Sequence, residues 1–356
     1  MKIEKALQRE SFPILPYDLT VNILSRLPIK SLVQLKCVSK SWLNLFTDPY
    51  LAKMHFNRSH NRKLVSSCTI AKPSRFSNTP IVVFSLDTDE SKLTLHIDSP
   101  LPFGTKSIRF FGSCDGLILF STFPSNTLYL LNPSTRELNK IPSSPFRNRE
   151  TVSYGFGYDA SARDYKIVEL SWSSERNKSN VSVYALKINY WRIVHDFPYT
   201  IKFRNRGKLF NGALHWLTYD DDNMSKIVAF HLANDKFQDF FLPDYETPPH
   251  SIEVVKGCLC IITVTRELWV MKVYGKRESW TKAATLPNEG PLNLSNDDEI
   301  QFLTNQWLCA YNIEKNTYSS IQKIPCIRGC QDTFRSHEAE IFYESIVSPH
   351  SSHIRQ

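Results

Sequence analysis

No stretch of the 356-residue sequence approaches the roughly 20 consecutive apolar residues of a membrane-spanning helix. Met1 to Glu10 is charged and holds no apolar signal core. Neither a membrane nor a secretory route is expected, which places the chain in the cytoplasm and/or nucleus. The eight cysteines, at 37, 68, 114, 258, 260, 309, 326 and 330, are then expected as free thiols. In such a compartment Asn57, Asn177, Asn180, Asn223 and Asn293, which each begin an Asn-x-Ser triplet, are chance matches to the glycan acceptor pattern. Metal spacing is missing too: Cys326, Cys330 and His337 leave a zinc ion one ligand short, with no Cys-x-x-Cys in support. Nor is there a nucleophile elbow or a Ser-His-Asp order, and Gly155-Phe156-Gly157 reads as strand turns rather than a dinucleotide loop. The acidic runs Asp220-Asp221-Asp222 and Asp297-Asp298-Glu299 sit among Asn and Ser and read as solvated turns. No enzyme, metal or cofactor is expected. The net charge of +8 raises nucleic acid as a partner, yet no basic run interleaved with aromatics and no finger or helix-turn-helix pattern occurs.

What is present divides the chain in two. Its 42% hydrophobic and 22% charged residues are ordinary for globular domains, and the length allows more than one. Residues 1–60 hold nine Lys or Arg against four Asp or Glu, a balance of +5. Within them, Pro16 suits a helix start, and Leu19, Ile23, Leu24 and Leu27 form one apolar stripe ending at Pro28. Ser31, Leu32 and Leu35 begin a second short helix, Ser39 caps a third carrying Trp42, and Asp48-Pro49 opens a fourth. About forty residues cannot bury all of Leu15, Ile23, Leu24, Leu27, Leu32, Val38, Trp42 and Leu45, so part of this set is expected to form an exposed partner site.

Leu15-Pro16-x-Asp18-Leu19, Ile23-Leu24-x-Arg26-Leu27-Pro28-x-Lys30-Ser31-Leu32 and Lys36-x-Val38-Ser39-Lys40-x-Trp42 resemble an F-box. The resemblance implies docking on a Skp-type adaptor, and through it on a cullin scaffold. It gives Leu15, Pro16, Leu19, Ile23, Leu24, Leu27, Pro28, Leu32, Val38, Lys40 and Trp42 as the adaptor-binding set. Because Skp-type adaptors are acidic as a family, the basic excess fits electrostatic steering toward one.

From Leu64 onward short apolar runs alternate with turn residues, a strand signature. An apolar residue followed by Pro recurs at Leu101, Ile141, Phe197, Leu242, Leu286 and Ile324, with spacings of 40, 56, 45, 44 and 38. Turn glycines at Asp115-Gly116, Asn211-Gly212 and Lys256-Gly257 keep step with it. That period suits a β-propeller blade, and counting Leu64 to Leu101 as a degenerate unit gives about six, with a β-sandwich as the alternative. Gly112-Ser113-Cys114-Asp115-Gly116-Leu117, Leu131-Asn132-Pro133-Ser134-Thr135-Arg136, Tyr154-Gly155-Phe156-Gly157-Tyr158-Asp159, Asp164-Tyr165-Lys166-Ile167-Val168 and Asn211-Gly212-Ala213-Leu214-His215-Trp216 resemble the F-box-associated interaction domain of plant F-box proteins.

The expected architecture is α+β and multidomain: an N-terminal tail (1–11), a helical F-box (12–57), and an all-β, propeller-like domain (64–325). A C-terminal segment (326–356) follows, in which Glu340-Ile341-Phe342-Tyr343 suits a closing strand. The two resemblances imply a substrate receptor of an SCF-type ubiquitin ligase whose β domain binds a target protein. Trp172, Arg147, Arg149, Arg204 and Arg206 are candidate target-binding residues, because loop-borne Trp and Arg are common hot spots. An F-box scaffold outside any ligase and a propeller lectin or hydrolase are the competing readings.

Overall fold

The computed structural model describes residues 15–36, 40–46, 48–58, 62–68, 81–85, 105, 107–146, 151–173, 178–194, 206–219, 225–244, 246–286, 299–303, 307–312, 315, 317–323 and 337–350. Four short helices come first: α1 (Tyr17–Leu24), α2 (Ile29–Leu35), α3 (Lys40–Phe46) and α4 (Pro49–Arg58). Pro16 and Pro28 stand at the N-caps of α1 and α2, so α2 begins two residues before the expected Ser31. Proline serves there because its missing N–H costs nothing at a helix start. Asp48 caps α4 as expected, its Oδ1 accepting the Tyr50 N–H at 2.8 Å. Val21, Leu24, Ile29, Leu32, Phe46, Leu51 and Ala52 form the small core of this module.

After α4 the regular elements among the described residues are strands, apart from one 3-10 turn at Arg277–Ser279. The first sheet joins β1 (Arg62–Cys68) and β2 (Ile81–Ser85) to the last strand of the chain, β22 (His337–Tyr343). The second holds β3 (Ser107–Cys114), β4 (Leu117–Phe123), β5 (Thr127–Asn132) and β6 (Glu137–Lys140). The third holds β7 (Thr151–Asp159), β8 (Asp164–Ser173), β9 (Lys178–Ala185) and β10 (Tyr190–Val194). The fourth holds β11 (Lys208–Phe210), β12 (Ala213–Tyr219), β13 (Ser225–His231) and β14 (Lys236–Phe240). The fifth holds β15 (Pro249–Val255), β16 (Cys258–Thr263), β17 (Glu267–Met271) and β18 (Trp280–Thr285). The sixth holds β19 (Glu299–Leu303), β20 (Trp307–Asn312) and β21 (Thr317–Lys323). Within each sheet the described strands pair antiparallel, as blades require, and four of the six sheets are complete four-stranded blades.

Apolar cores lie between neighbouring sheets. Val65 and Phe342 meet Ile108 and Phe120; Phe111 and Leu119 meet Phe156 and Tyr184; Val168 and Leu170 meet Leu214 and Phe230; Ala229 meets Ile252 and Ile261; Val255 and Ile262 meet Tyr311. Both faces of each inner sheet are therefore covered, which is why these strands read as continuous apolar runs. Cys260 is buried there while Cys258, on the same strand face, is half-buried.

Two repeated markers find their cause. Asp115-Gly116, Asn211-Gly212 and Lys256-Gly257 have φ of 49° and 83°, 48° and 71°, and 48° and 65°. Positive φ at both central residues makes two-residue hairpins whose twist matches the strands. The apolar residues before Pro142 and Pro243, Ile141 and Leu242, are buried between blades. Beside them Trp191 Nε1 donates to the Pro142 carbonyl at 2.8 Å and Trp280 Nε1 to the Phe241 carbonyl at 3.0 Å, stitching one blade to the next. Gly155-Phe156-Gly157 differs from expectation: it lies inside β7, not in turns. A Cβ on Gly155 would come within 2.7 Å of Trp216, and one on Gly157 within 2.7 Å of Leu209.

The chain closes on itself. β22 pairs with β1 from Arg62–Tyr343 to Cys68–His337, so the C-terminus completes the first sheet. Beyond it residues 344–350 run as a strap over the second blade, where Asn132 Nδ2 donates to the carbonyls of Ser345 (2.9 Å) and Val347 (2.7 Å), and Asn139 Nδ2 to that of Pro349 (2.9 Å).

Candidate functional site: the helical face and its junction with the blades

Leu19 and Ile23, four residues apart in α1, share one outward face and stand 53% and 50% exposed, and Leu15, just before the N-cap Pro16, is 53% exposed. Tyr17, Leu43 and Tyr50 extend the exposed apolar area from α1 onto α3 and α4. Tyr17 ties these helices together by donating its hydroxyl to the Asp48 carboxylate. That bond, reinforced by burial and the Asp48 charge, pushes the phenol up to about 12. Pro16 and Pro28 are exposed, and Leu27 and Trp42 are half-buried, Trp42 stacking on Phe46 at 5.8 Å.

Two members of the sequence-derived docking set point the other way. Leu24 and Leu32 are 4% and 0% exposed and belong to the core of the module. Their side chains face inward, beneath the exposed surface. The i, i+3 spacing that put Leu24 and Leu27 on one stripe could not say which stripe faces inward. Val38 lies outside the described residues, and Lys40 opens α3, its side chain likewise outside them.

The opposite side of the module rests on the propeller. Ile346 of the strap is 1% exposed and enters the helical core, with Val347 packed against it. Lys36 Nζ pairs with Glu137 Oε1 at 3.0 Å, Phe56 meets Tyr343 edge-on at 6.1 Å, and Lys53 Nζ stands 5.3 Å from the Tyr158 ring centroid. His55 Nε2 lies 3.1 Å from the Leu27 carbonyl, and burial pulls the imidazole below its ordinary value. The sequence motifs gave no sign of this strap, because a polar Ser-Pro segment looks like a tail until its neighbours are known.

The expected target-binding residues do not form a cluster among the described residues. Trp172 is half-buried inside β8, opposite Thr151 and Ser179, rather than on a loop. Arg206 Nη1 pairs with Glu340 Oε2 at 2.9 Å, beside a second pair, Lys208 Nζ with Glu253 Oε2 at 2.6 Å. Burial pushes the Glu253 carboxyl up, against the pull of Lys208 and Arg206. Arg206 thus neutralises a carboxylate of the closing strand. Arg147, Arg149 and Arg204 lie outside the described residues, as do Cys326, Cys330 and Asp220-Asp221-Asp222. Among the described residues no group of three or more His, Cys, Asp or Glu is placed to hold a metal, and no helix is long and apolar enough to cross a membrane.

Comparison with known proteins agrees with this division. Residues 12–54 match the F-box domain family and residues 71–347 the F-box associated beta propeller domain family. An F-box/kelch-repeat protein of Arabidopsis thaliana is 26% identical, covering 94% of this chain and 96% of its own length. F-box protein CPR1 of the same plant is also 26% identical, over 94% of this chain and 88% of its own. Among solved structures, TolB from Acinetobacter baumannii aligns at 10% identity with a TM-score of 0.51, over 79% of this chain and 66% of TolB. A chain of the nidogen/laminin complex aligns at 13% identity with a TM-score of 0.50, over 80% of this chain and 99% of its own. At such identities these two speak for the fold alone. With helices and blades each matched over their own span, the chain belongs to the F-box proteins that carry an F-box-associated β-propeller domain.

Proposed function

We propose that this protein is the substrate-recognition subunit of an SCF-type ubiquitin ligase, docking through α1 and its neighbours on a Skp-type adaptor and presenting a target protein on the blades. The observation that carries the reading is the exposed set of Leu19 and Ile23 on α1 and Leu15 just before it, on a module whose other faces are filled by its own core and by the strap. A folded module with such an outward apolar set has a partner surface to cover. No chemistry is asked of this chain. An adaptor and cullin would bring a ubiquitin-charged enzyme to the bound target, and proximity raises the effective concentration of the target lysine. The reading places the protein in the cytoplasm and/or nucleus.

Co-purification with a Skp-type adaptor and cullin tests it. Burying one Leu or Ile gives about 1.5–3 kcal/mol. Leu15→Ala with Pro16→Ala is therefore expected to weaken adaptor binding on the order of tenfold to a thousandfold, at about 1.4 kcal/mol per tenfold. Both residues are exposed, so the double variant should keep the melting temperature of the wild type. Undiminished capture by the variant would remove this surface from the docking role, and no capture by folded wild type would overturn the ligase reading.

A further inference from the structure

A cleft of about 120 Å³ opens where the helices meet the second and third blades. Its helical wall is Phe46, Ala52 and Phe56, the strap supplies Ile346 and Val347, and Leu186 faces them from the β9–β10 turn. Apolar cavities of about 150 Å³ accept a benzene ring, so the apolar part of this cleft is of the order of one ring.

The polar groups at the cleft are unequally satisfied. Asp164 is committed to its own turn: Oδ1 accepts the N–H groups of Tyr165 at 2.8 Å and Lys187 at 3.1 Å, and Oδ2 that of Lys187 at 3.2 Å. Asp115 accepts the Tyr165 hydroxyl at 2.9 Å. Burial pushes its carboxyl up, while that hydrogen bond and the Lys53 ammonium hold it down. Lys53 itself rests over the Tyr158 ring. Two cations remain. Among the described residues neither Arg163 nor Lys187 makes a close ion pair; both are exposed, the Lys187 ammonium donates to the Ala162 carbonyl at 3.4 Å, and its charge pulls the Asp164 carboxyl down against burial. Arg163, at φ 51° in the β7–β8 turn, lines the cleft.

We propose that this junction is a binding site for a small organic anion, a single ring or branched chain bearing one carboxylate, with its apolar part between Phe56 and Leu186 and its charge on Arg163 and Lys187. The requirement for an apolar body follows from the walls, and the requirement for negative charge from the excess of cations at the cleft, where Lys53, Arg163 and Lys187 face only Asp115 and Asp164. A ligand here touches helix, blade and strap together, so it holds the helical module and the propeller in one arrangement. The site stands whether or not the helical face docks an adaptor.

Benzoate is the probe, with benzamide, benzylamine and acetate as matched controls lacking the charge, reversing it, or lacking the ring. Ligand-observed NMR titration of the full chain is expected to show saturable benzoate binding, at least tenfold tighter than any control. The variant Arg163→Asn with Lys187→Gln is expected to lose at least tenfold, Asn being tolerated at the positive φ. Arg163→Lys with Lys187→Arg should retain binding, which separates loss of charge from loss of fold. No saturable benzoate binding, equal binding of any control, or full affinity in the charge-removed variant would each overturn the proposal.

Discussion

One indole fixes the seam between the third and fourth blades. Trp216 is 1% exposed, its Nε1–H donates to Ser153 Oγ at 3.0 Å, and its ring covers Gly155 and Gly207, whose backbones form a parallel bridge. A Cβ on Gly207 would lie 2.4 Å from that ring, so both glycines are fixed by the indole. The residue before it, His215, links two blades: Nδ1 lies 3.2 Å from the Lys208 carbonyl and Nε2 2.8 Å from the Tyr274 hydroxyl. Burial depresses its imidazole to about 4. Below the unfolded value of about 6.5 the unfolded chain takes a proton that the folded chain refuses, so this residue costs stability as pH falls through 6.5 toward 4. The linkage relation puts the loss between pH 7 and pH 5 on the order of 2 kcal/mol. Urea unfolding of His215→Gln at the two pH values is expected to show an acid loss smaller by about that amount, and an identical loss in the two proteins would refute the assignment. The motif Asn211 to Trp216 was visible in the sequence as a recurring string; its reason, two turn residues, two core residues and two inter-blade contacts, needed the neighbouring strands.

At the scale of elements, the strap does what no motif announced. Gly116 has no Cβ because Ser345 Cβ would meet it at 2.3 Å and the Tyr343 carbonyl at 2.7 Å, so the hairpin and strap are fitted to each other. Asn132 serves both: Oδ1 caps its own turn through Ser134 N–H at 2.8 Å while Nδ2 holds the strap. Ile346 then fills the helical core from outside. Truncating a buried Ile to Ala costs about 2–5 kcal/mol. Ile346→Ala should therefore loosen the helical module selectively, seen as faster hydrogen exchange in α1, α2 and α4 with unchanged protection in β12 and β13. Equal exchange throughout would show that the strap does not support the module. Elements with strong local signals, the helix starts at Pro16 and Asp48-Pro49 and the glycine hairpins, were readable in advance, whereas Pro28 read as the end of α1 and proved to be the start of α2. Those defined by partners, such as the strap and the outward or inward sense of Leu24 and Leu32, were not.

For the whole molecule, charge and shape act together. The balance of +5 in residues 1–60 sits on the module that carries the exposed apolar set. If an acidic adaptor docks there, the association rate should fall with ionic strength while dissociation changes little. Stopped-flow measurements between low and high salt should show a drop of about tenfold or more in the association rate, and a salt-independent rate would remove steering from the account.

The sequence by itself determined the division into helices and blades, the inner hairpins and the apolar runs. Each of these depends on residues within one or two turns of chain, through backbone conformation and burial period. Tertiary structure decided that the closing strand expected at Glu340–Tyr343 pairs with β1, that Arg206 is neutralised by Glu340, that Trp172 is built into a strand, and that a cleft opens between module and propeller. The strand closure and the Arg206 pair join residues more than a hundred positions apart, as does Lys36 with Glu137, and contact at that range follows from how the sheets and helices pack rather than from any local pattern.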